Sequence, residues 1–225
     1  MFEIIHKDKN FIICKKPVGV QSQQALDGSK SMIELIAEEL GVSESEVYPI
    51  HRLDRQVSGI MIYAIGKASA GKLSRIVSEN QMQKRYLAII HGRPDNDKGI
   101  FKDLLFKDSA KNKSYVVKRM RKGVKEASLE YEVIDSAELN EDKISLVKIL
   151  LHTGRTHQIR VQFASRGMPL LGDRRYGSGR DNCNPALYSH SLEFINPFNN
   201  SREMFSSEPE YKEAPWNIFL MRNGL

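Results

Sequence analysis

Asp54 stands between two arginines in the stretch His51-Arg52-Leu53-Asp54-Arg55, and Gly59 then leads into the apolar run Ile60–Ile65. Positive charges close to a carboxylate favour its ionised form. An ionised carboxylate can act as a nucleophile or stabilise a cation that forms during a reaction. The alternative is that Asp54 is a surface acid in a charged turn, because ion-pair networks also perturb carboxylates that have no catalytic role.

A second group of candidate side chains lies in His152–Gly167. Thr156 predicts the N-cap of a helix there, and the spacing of the apolar residues that follow indicates one buried face. Arg155, His157 and Arg160 are then expected at the first turn of that helix, close to the end of a strand, where they could contribute to an active site. Pairing of the arginines with surface acids is the competing interpretation.

Metal binding is a third hypothesis for these stretches, with His51, Asp54 and His157 as the ligands of a metal-dependent hydrolase. His152 and His157 do not have the i, i+4 spacing of a zinc-binding helix, and no third ligand stands near them in the sequence. The sequence therefore predicts no metal site.

The composition indicates a folded protein with a basic surface. The chain has 225 residues, of which 40% are hydrophobic and 28% charged, enough for one large core or two closely joined halves. Its formal net charge of +6 suits a polyanionic partner. Basic residues crowd between positions 107 and 125, among them Lys118, Arg119, Arg121 and Lys122. Such a cluster is typical of a solvated face or a mobile loop, and contact with phosphates is the functional alternative.

The sequence offers no sign of secretion or of a membrane anchor. The two cysteines, Cys14 and Cys183, lie far apart and form no CxxC pair, so neither a disulfide framework nor a zinc knuckle is indicated. No uninterrupted apolar segment approaches the ~20 residues that span a bilayer, and the first residues do not form a signal peptide. A cytoplasmic protein without membrane contact is therefore expected.

The elements that must position the candidate residues alternate between strands and helices. The pattern predicts helices at 31–40 and 69–78, and strands at 11–14, from residue 60, at 84–92 and at 187–194. Segments 127–133 and 144–150 are expected to pair as antiparallel strands. Between Asp95 and Lys125 the pattern weakens. No linker or internal repeat divides the chain, so a single domain over residues 1–225 is predicted.

Five motifs in register carry a resemblance to a known family. The motifs are His51-Arg52-Leu53-Asp54 with Ser58-Gly59, Lys16-Pro17-Val18-Gly19, Lys84-Arg85-Tyr86-Leu87-Ala88 with Gly92, Thr153–Arg160, and Gly172-Asp173 with Tyr176-Gly177. With these motifs the chain resembles the RluA-type RNA pseudouridine synthases over nearly its whole length, from Phe11 to about Pro197. Val57 departs from the family pattern, which has a threonine there, and this removes a hydroxyl next to the candidate catalytic loop.

The resemblance implies a reaction and roles for individual residues. Family members detach uracil from C1′ of the ribose, turn the base and rejoin it through C5, without a cofactor. By motif position Asp54 is the catalytic carboxylate, Tyr86 packs against the base and assists proton removal at C5, and Arg160 pairs with the carboxylate. Arg52 is expected to fill the gap that the target uridine leaves in the RNA. The other expected RNA contacts are Arg55, Arg155, His157, Lys118, Arg119, Arg121 and Lys122.

The resemblance also implies a mixed α/β fold, in which a long, largely antiparallel mixed sheet is divided by a catalytic cleft and flanked by helices. We expect a monomer that starts directly at the catalytic domain, with no separate N-terminal RNA-binding module. The expected partner is ribosomal or transfer RNA, and the target is a uridine in or beside a hairpin loop, with a slight preference for ribosomal RNA. A catalytically silent RNA-binding or folding factor on the same scaffold is the alternative.

Overall fold

The computed structural model describes residues 2–24, 28–177, 179, 181–210 and 214–219. These residues contain three α-helices and 11 strands, which belong to a large sheet. The chain divides into two compact units, Met1–Lys84 with Ser189–Pro209 and Arg85–Tyr188 with Glu210–Leu225. The predicted mixed α/β class with a large, largely antiparallel sheet is confirmed, whereas the predicted single-domain organisation stays a prediction.

The first unit contains the Asp54 loop. Its strands are β1 (Glu3–Lys7), β2 (Phe11–Lys16), β3 (Val47–Pro49), β4 (Ser58–Ile65), most of β10 (Leu187–Ile195), and β11 (Arg202–Ser206). The strand order is β1, β2, β4 and β10, with β3 paired to β4 and β11 paired to β10. Strand β4 is central in this order and carries a run of apolar residues, as expected for a strand covered on both faces.

Two helices cover this part of the sheet, and both follow the prediction. Helix α1 is Met32–Leu40, and α2 is Lys67–Ser78. The Glu34 side chain accepts a hydrogen bond from the Ser31 amide at 2.7 Å, and Gly41 adopts φ +66° after the last turn. These are the start and stop signals that the sequence predicted. Apolar residues of β2, β4, α2 and β10 form the core, which includes Phe11, Ile13, Ile60, Ile62, Leu73, Ile76, Leu192 and Phe194.

The second unit is built on five strands, and β6 to β9 pair antiparallel. Most of β5 (Gln83–His91) belongs to this unit, together with β6 (Lys98–Asp108), β7 (Lys113–Val117), β8 (Val124–Leu139) and β9 (Asp142–Leu151). They lie in the order β5, β9, β8, β6 and β7. Strands β8 and β9 pair antiparallel, with Tyr131 opposite Ile149, as the sequence predicted. Helix α3 (Gln158–Ala164) packs Val161 against Leu105 and Ala127.

In this unit two strands were not predicted, and one predicted helix cap is wrong. The basic region, expected to be a solvated face or a mobile loop, includes the hairpin of β6 and β7, in which Phe106 lies opposite Tyr115, and residues 118–123 form the loop that follows. Helix α3 is capped by His157 instead of Thr156, and His157 has the left-handed φ of +53°. Left-handed backbone at a residue with a Cβ is uncommon and marks a tight junction between strand β9 and the helix.

The described helices are short. The longest, α2, has 12 residues, and none in the described part of the chain has the length and apolar character needed to span a bilayer.

Candidate active site

Asp54 lies in a tight turn between β3 and β4. The Val57 amide donates a hydrogen bond to the Asp54 carbonyl oxygen at 3.0 Å, which closes a four-residue turn. Leu53, which precedes the turn, and Val57, its last residue, are buried, at 8% and 1% exposure, whereas Asp54 is half-buried. The Leu53 and Val57 side chains therefore anchor the turn in the core, while the Asp54 carboxylate lies nearer the surface.

A second loop, residues 16–22, is hydrogen-bonded to the Asp54 turn. The Ser22 hydroxyl donates to the Leu53 carbonyl at 2.8 Å and accepts from the Leu53 amide at 3.1 Å. The Gly19 amide donates to the Arg55 carbonyl at 2.8 Å, and Arg55 Nε donates to the Gly19 carbonyl at 2.8 Å. Residues on both sides of Asp54 are thus held by backbone-directed hydrogen bonds, which restrict the backbone that carries the carboxylate.

Lys16 supplies a buried positive charge next to this turn. Its side chain is fully buried, and its ammonium donates to the carbonyls of Pro17 at 2.8 Å, Val20 at 2.8 Å and Arg55 at 3.2 Å. Burial lowers the pKa of Lys16 from 10.5 to about 8, the charge of Asp54 acts against this decrease, and Arg55 adds to it. Lys16 therefore ties the two loops together and places a cation in the electrostatic field of Asp54.

The strand that leaves the turn requires glycine at its second residue. Gly59 has φ +114°, and a Cβ at this position would lie 2.3 Å from the Ser189 carbonyl oxygen of β10. Only glycine permits this backbone conformation together with this close approach. Val57, the departure from the family motif, is 1% exposed, so an apolar side chain fills this buried position.

His51 is a neutral imidazole. Burial, with a smaller effect of the Lys84 ammonium, lowers the pKa of His51 to about 3. Its Nε2 accepts a long hydrogen bond of 3.4 Å from the Ile62 amide, so the ring supports the backbone of β4. Among the described residues no group of three His, Cys, Asp or Glu side chains is arranged to hold a metal ion.

In the second unit, Arg160 is held by Asp173. Arg160 Nε donates to Asp173 Oδ2 at 2.7 Å and Nη2 donates to Oδ1 at 2.8 Å, with both side chains almost fully buried. Asp173 Oδ1 also accepts from the amides of Arg175 and Tyr176 at 3.1 and 3.2 Å. This bidentate geometry fixes the plane and direction of the guanidinium group.

Tyr176 connects the Arg160 pair to the β6–β7 hairpin. Its hydroxyl accepts from the Ser114 amide at 2.7 Å and lies 3.0 Å from His157 Nδ1. The Arg160 guanidinium carbon is 5.3 Å from the centre of the Tyr176 ring. Ser114 Oγ donates to the Thr156 carbonyl at 2.7 Å. Thr156 thus contributes to this junction through its backbone, although it does not cap α3.

Three further predicted residues have defined places. Tyr86, on β5, is 5% exposed. Arg155 is half-buried, and its Nε donates to the Glu126 carbonyl at 2.8 Å. Arg52 is exposed beside the Asp54 turn.

A family model described as RNA pseudouridylate synthase matches residues 10–165. The chain belongs to this family. The predicted family and enzyme class are therefore confirmed, and RNA is the substrate class that the family implies.

Relatives in bacteria agree with this assignment. A Haemophilus influenzae protein named an uncharacterized RNA pseudouridine synthase is 31% identical over 85% of this chain and 81% of its own length. The dual-specificity RNA pseudouridine synthase RluA of Pasteurella multocida is 30% identical over 93% of this chain and 94% of its own length. The solved structure of human RNA pseudouridylate synthase domain containing 1 is similar in fold, with a TM-score of 0.78, 22% identity, and coverage of 96% of this chain and 86% of that one.

Within this pseudouridine synthase, the predicted catalytic residues belong to different units: Asp54 to the first, Tyr86 and Arg160 to the second. Their catalytic roles and their convergence stay predictions. No individual role was predicted for Lys16 or Asp173, although both stand in the family motifs. Ser22 was not predicted either, because its hydrogen bonds to Leu53 connect residues 31 positions apart and no local pattern gives a signal for them.

Proposed function

We propose that this pseudouridine synthase isomerises uridines of ribosomal or transfer RNA, with Asp54 as the catalytic carboxylate. In this reaction the bond between uracil N1 and C1′ breaks, a bond from C5 to C1′ forms, and the proton lost from C5 is balanced by one gained at N1. The observation that carries the proposal is the fastened turn that presents Asp54 beside the buried ammonium of Lys16. A carboxylate held in this way can attack C1′ or stabilise positive charge there.

The other residues receive roles that suit their surroundings. Tyr86 contacts the base and assists proton removal at C5. Arg160, with its guanidinium oriented by Asp173, pairs with the catalytic carboxylate. Arg52, which is exposed beside the turn, occupies the place of the everted uridine. Arg55, Arg155 and His157 contribute to RNA binding, together with the basic residues of the hairpin region.

The names of relatives bear on the RNA target. One is a ribosomal large subunit pseudouridine synthase C from Buchnera aphidicola, 31% identical over 92% of this chain and 67% of its own length. Another is a tRNA pseudouridine synthase C from Vibrio parahaemolyticus, 26% identical over 88% of this chain. We propose a uridine in or beside a hairpin loop, where the base is turned out at little cost, and give ribosomal RNA slight preference. We further propose a monomeric, metal-independent enzyme of the cytoplasm.

The replacement Asp54→Asn tests the catalytic assignment, because it removes the charge and preserves the shape. Total RNA from cells that lack the gene would be incubated with the wild-type protein or with the Asp54→Asn variant, and pseudouridines would be mapped. We expect sites restored by the wild type to stay unmodified with the variant, while RNA affinity changes less than about twofold. Asp95→Asn, at an exposed aspartate, is the matched control and should restore every site.

Each contrary outcome has a definite meaning. Modification by Asp54→Asn at the wild-type level would refute the catalytic role of Asp54. RNA binding by the wild type without any pseudouridine formation would favour a silent RNA-binding factor. Activity that disappears in EDTA and returns with zinc would support the metal-dependent hydrolase hypothesis.

A further inference from the structure

The positive charge of the chain is concentrated in one segment. Residues 107–125, called the basic segment below, contain eight Lys and Arg residues and one Asp, so the other 206 residues carry 26 basic and 27 acidic side chains. The net charge of +6 thus arises entirely from these 19 residues. A polyanion that approaches the protein is attracted to this segment in particular.

The basic segment forms an anchored edge of the second unit. It comprises the end of β6, strand β7 and the loop that leads into β8, and β7 stands last in the strand order. Arg175 Nη1 donates to the carbonyls of Lys111 and Asn112 at 3.1 and 3.0 Å, and the Ser114 amide donates to the Tyr176 hydroxyl. The hairpin is therefore held in place, and its charges are presented by ordered backbone.

The charges of the segment are open to a partner. Its basic side chains are exposed except for Lys113, which is half-buried. None of the described acidic residues forms an ion pair with them. Such cations can replace the counterions of a phosphate backbone.

Apolar groups lie among these charges. Tyr115 on β7 is 36% exposed and lies opposite Phe106, and Met120 in the following loop is 56% exposed. The Lys113 ammonium is 5.8 Å from the centre of the Tyr115 ring, and the Arg121 guanidinium carbon is 5.0 Å from that of Phe106. Exposed rings with cations beside them are the elements with which proteins bind single-stranded nucleic acid.

We propose that the basic segment is a second RNA-binding site, where an unpaired base stacks on Tyr115 and loop 118–122 binds phosphates of the same single strand. This inference rests on the proposed function, in which RNA is the substrate. The occupant is single-stranded because a base within a duplex keeps both its faces stacked on its neighbours and offers none to Tyr115. The base that stacks on Tyr115 is therefore unpaired in the substrate, and its identity matters little, since every base has a face that can stack.

The test measures binding of a fluorescein-labelled decacytidylate by anisotropy across a salt series. This probe contains no uridine, so it offers no target base for catalysis. Tyr115→Ala should weaken binding by about five- to 150-fold, the range for loss of one base–aromatic stack. Its plot of log affinity against log salt should keep the wild-type slope, because no charge is lost. Tyr115→Phe should bind within about twofold of the wild type, because it keeps the ring.

Ile100→Ala is the matched control. Ile100 is 56% exposed on β6 and outside the basic segment, so its truncation should leave binding unchanged. Equal unfolding midpoints for all variants would show that Tyr115→Ala acts on the surface and not on folding.

The proposal is overturned if Tyr115→Ala binds decacytidylate as tightly as the wild type. It is also overturned if a ten-base-pair RNA duplex binds more tightly than the single strand, or if decaglutamate displaces the probe as readily as unlabelled RNA. Binding that depends on Tyr115, in a protein that forms no pseudouridine, would reject the proposed function and preserve this inference. Pseudouridine formation with binding independent of Tyr115 would do the reverse.

Discussion

Both carboxylate oxygens of Asp173 accept hydrogen bonds from Arg160 inside the second unit, Oδ2 from Nε at 2.7 Å and Oδ1 from Nη2 at 2.8 Å. The same carboxylate accepts the backbone amides of Arg175 and Tyr176, so one buried charge orients an arginine and shapes a loop. Arg160 is expected to face the catalytic carboxylate. Asp173 then determines the direction in which the Arg160 guanidinium points.

The first prediction concerns the stability of this pair. Asp173→Asn leaves a buried guanidinium without its counter-charge, and removal of one partner from a buried ion pair costs about 3–5 kcal/mol. We expect the free energy of unfolding to fall by about 3 kcal/mol, measured by urea denaturation. Glu132→Gln is the control, because its partner Lys98 is 73% exposed and such pairs contribute about 0–1 kcal/mol. Equal losses in the two variants would contradict a structural role for the Arg160 pair.

The second prediction is a loss of activity above pH 8. Lys16 has a pKa lowered by burial to about 8, so its ammonium loses a proton above that pH. The neutral amine has one donor fewer for three carbonyls and no charge to act on Asp54. The rate at saturating RNA should fall towards tenfold per pH unit above about pH 8. Lys16→Met should be slower at neutral pH but without this decrease, whereas Lys67→Met, at an exposed lysine, should retain it.

The contribution of Lys16 to the free energy of unfolding should rise with pH, whereas the rate should fall. Because folding lowers the pKa of Lys16 from 10.5 to about 8, the unfolded chain binds more protons between these values. The contribution of this group to the free energy of unfolding therefore rises with pH in that window, and the cost of burying the ammonium is complete below it. A decrease in rate that coincides with unfolding would contradict the proposed role of Lys16.

The sequence predicted those elements whose signals are local. The Ser31 and Glu34 pair with Gly41 defined α1, and the apolar run from Ile60 defined β4. Strand β6 was not predicted because apolar residues occur on both of its faces: Phe101 is 8% exposed and Ile100 is 56% exposed. Without a clean alternation, the sequence pattern predicted no strand there.

The sequence predicted the candidate catalytic residues, but not the residues that hold the Asp54 turn in place. Asp54 stood out through its neighbours and its motif. Its supports, Lys16 and Ser22, act on the backbone of Leu53 and Arg55 across more than 30 residues. Such contacts depend on the pairing of β2 with β4, which brings Lys16 opposite Gly59 and which no local pattern specifies.

The third prediction distinguishes the role of the Tyr86 hydroxyl in catalysis from the role of the ring in binding. Tyr86→Phe keeps the buried ring and removes the group proposed to assist proton transfer. Because general acid–base catalysis contributes about 10²–10⁴-fold, we expect kcat to fall by at least about 100-fold, with KM within about twofold of the wild type. The control is Tyr131→Phe, which loses only a 3.3 Å hydrogen bond to the Asn96 carbonyl. A raised KM with unchanged kcat would assign the hydroxyl to RNA binding instead.

The last prediction concerns the loop of the basic segment. Lys118→Gln combined with Arg119→Gln, and Arg121→Gln combined with Lys122→Gln, each remove two exposed charges. If all four side chains contact phosphates, each double variant should reduce the steepness of log affinity against log salt by about 1.4 for single-stranded RNA. Lys9→Gln combined with Lys67→Gln removes two exposed lysines of the first unit and should leave the slope unchanged. Equal reductions in all three double variants would indicate attraction by net charge alone, and a wild-type slope in both loop variants would show that the loop is a solvated face. A reduction confined to the loop variants would distinguish phosphate contact from both, because released counterions report where the strand lies.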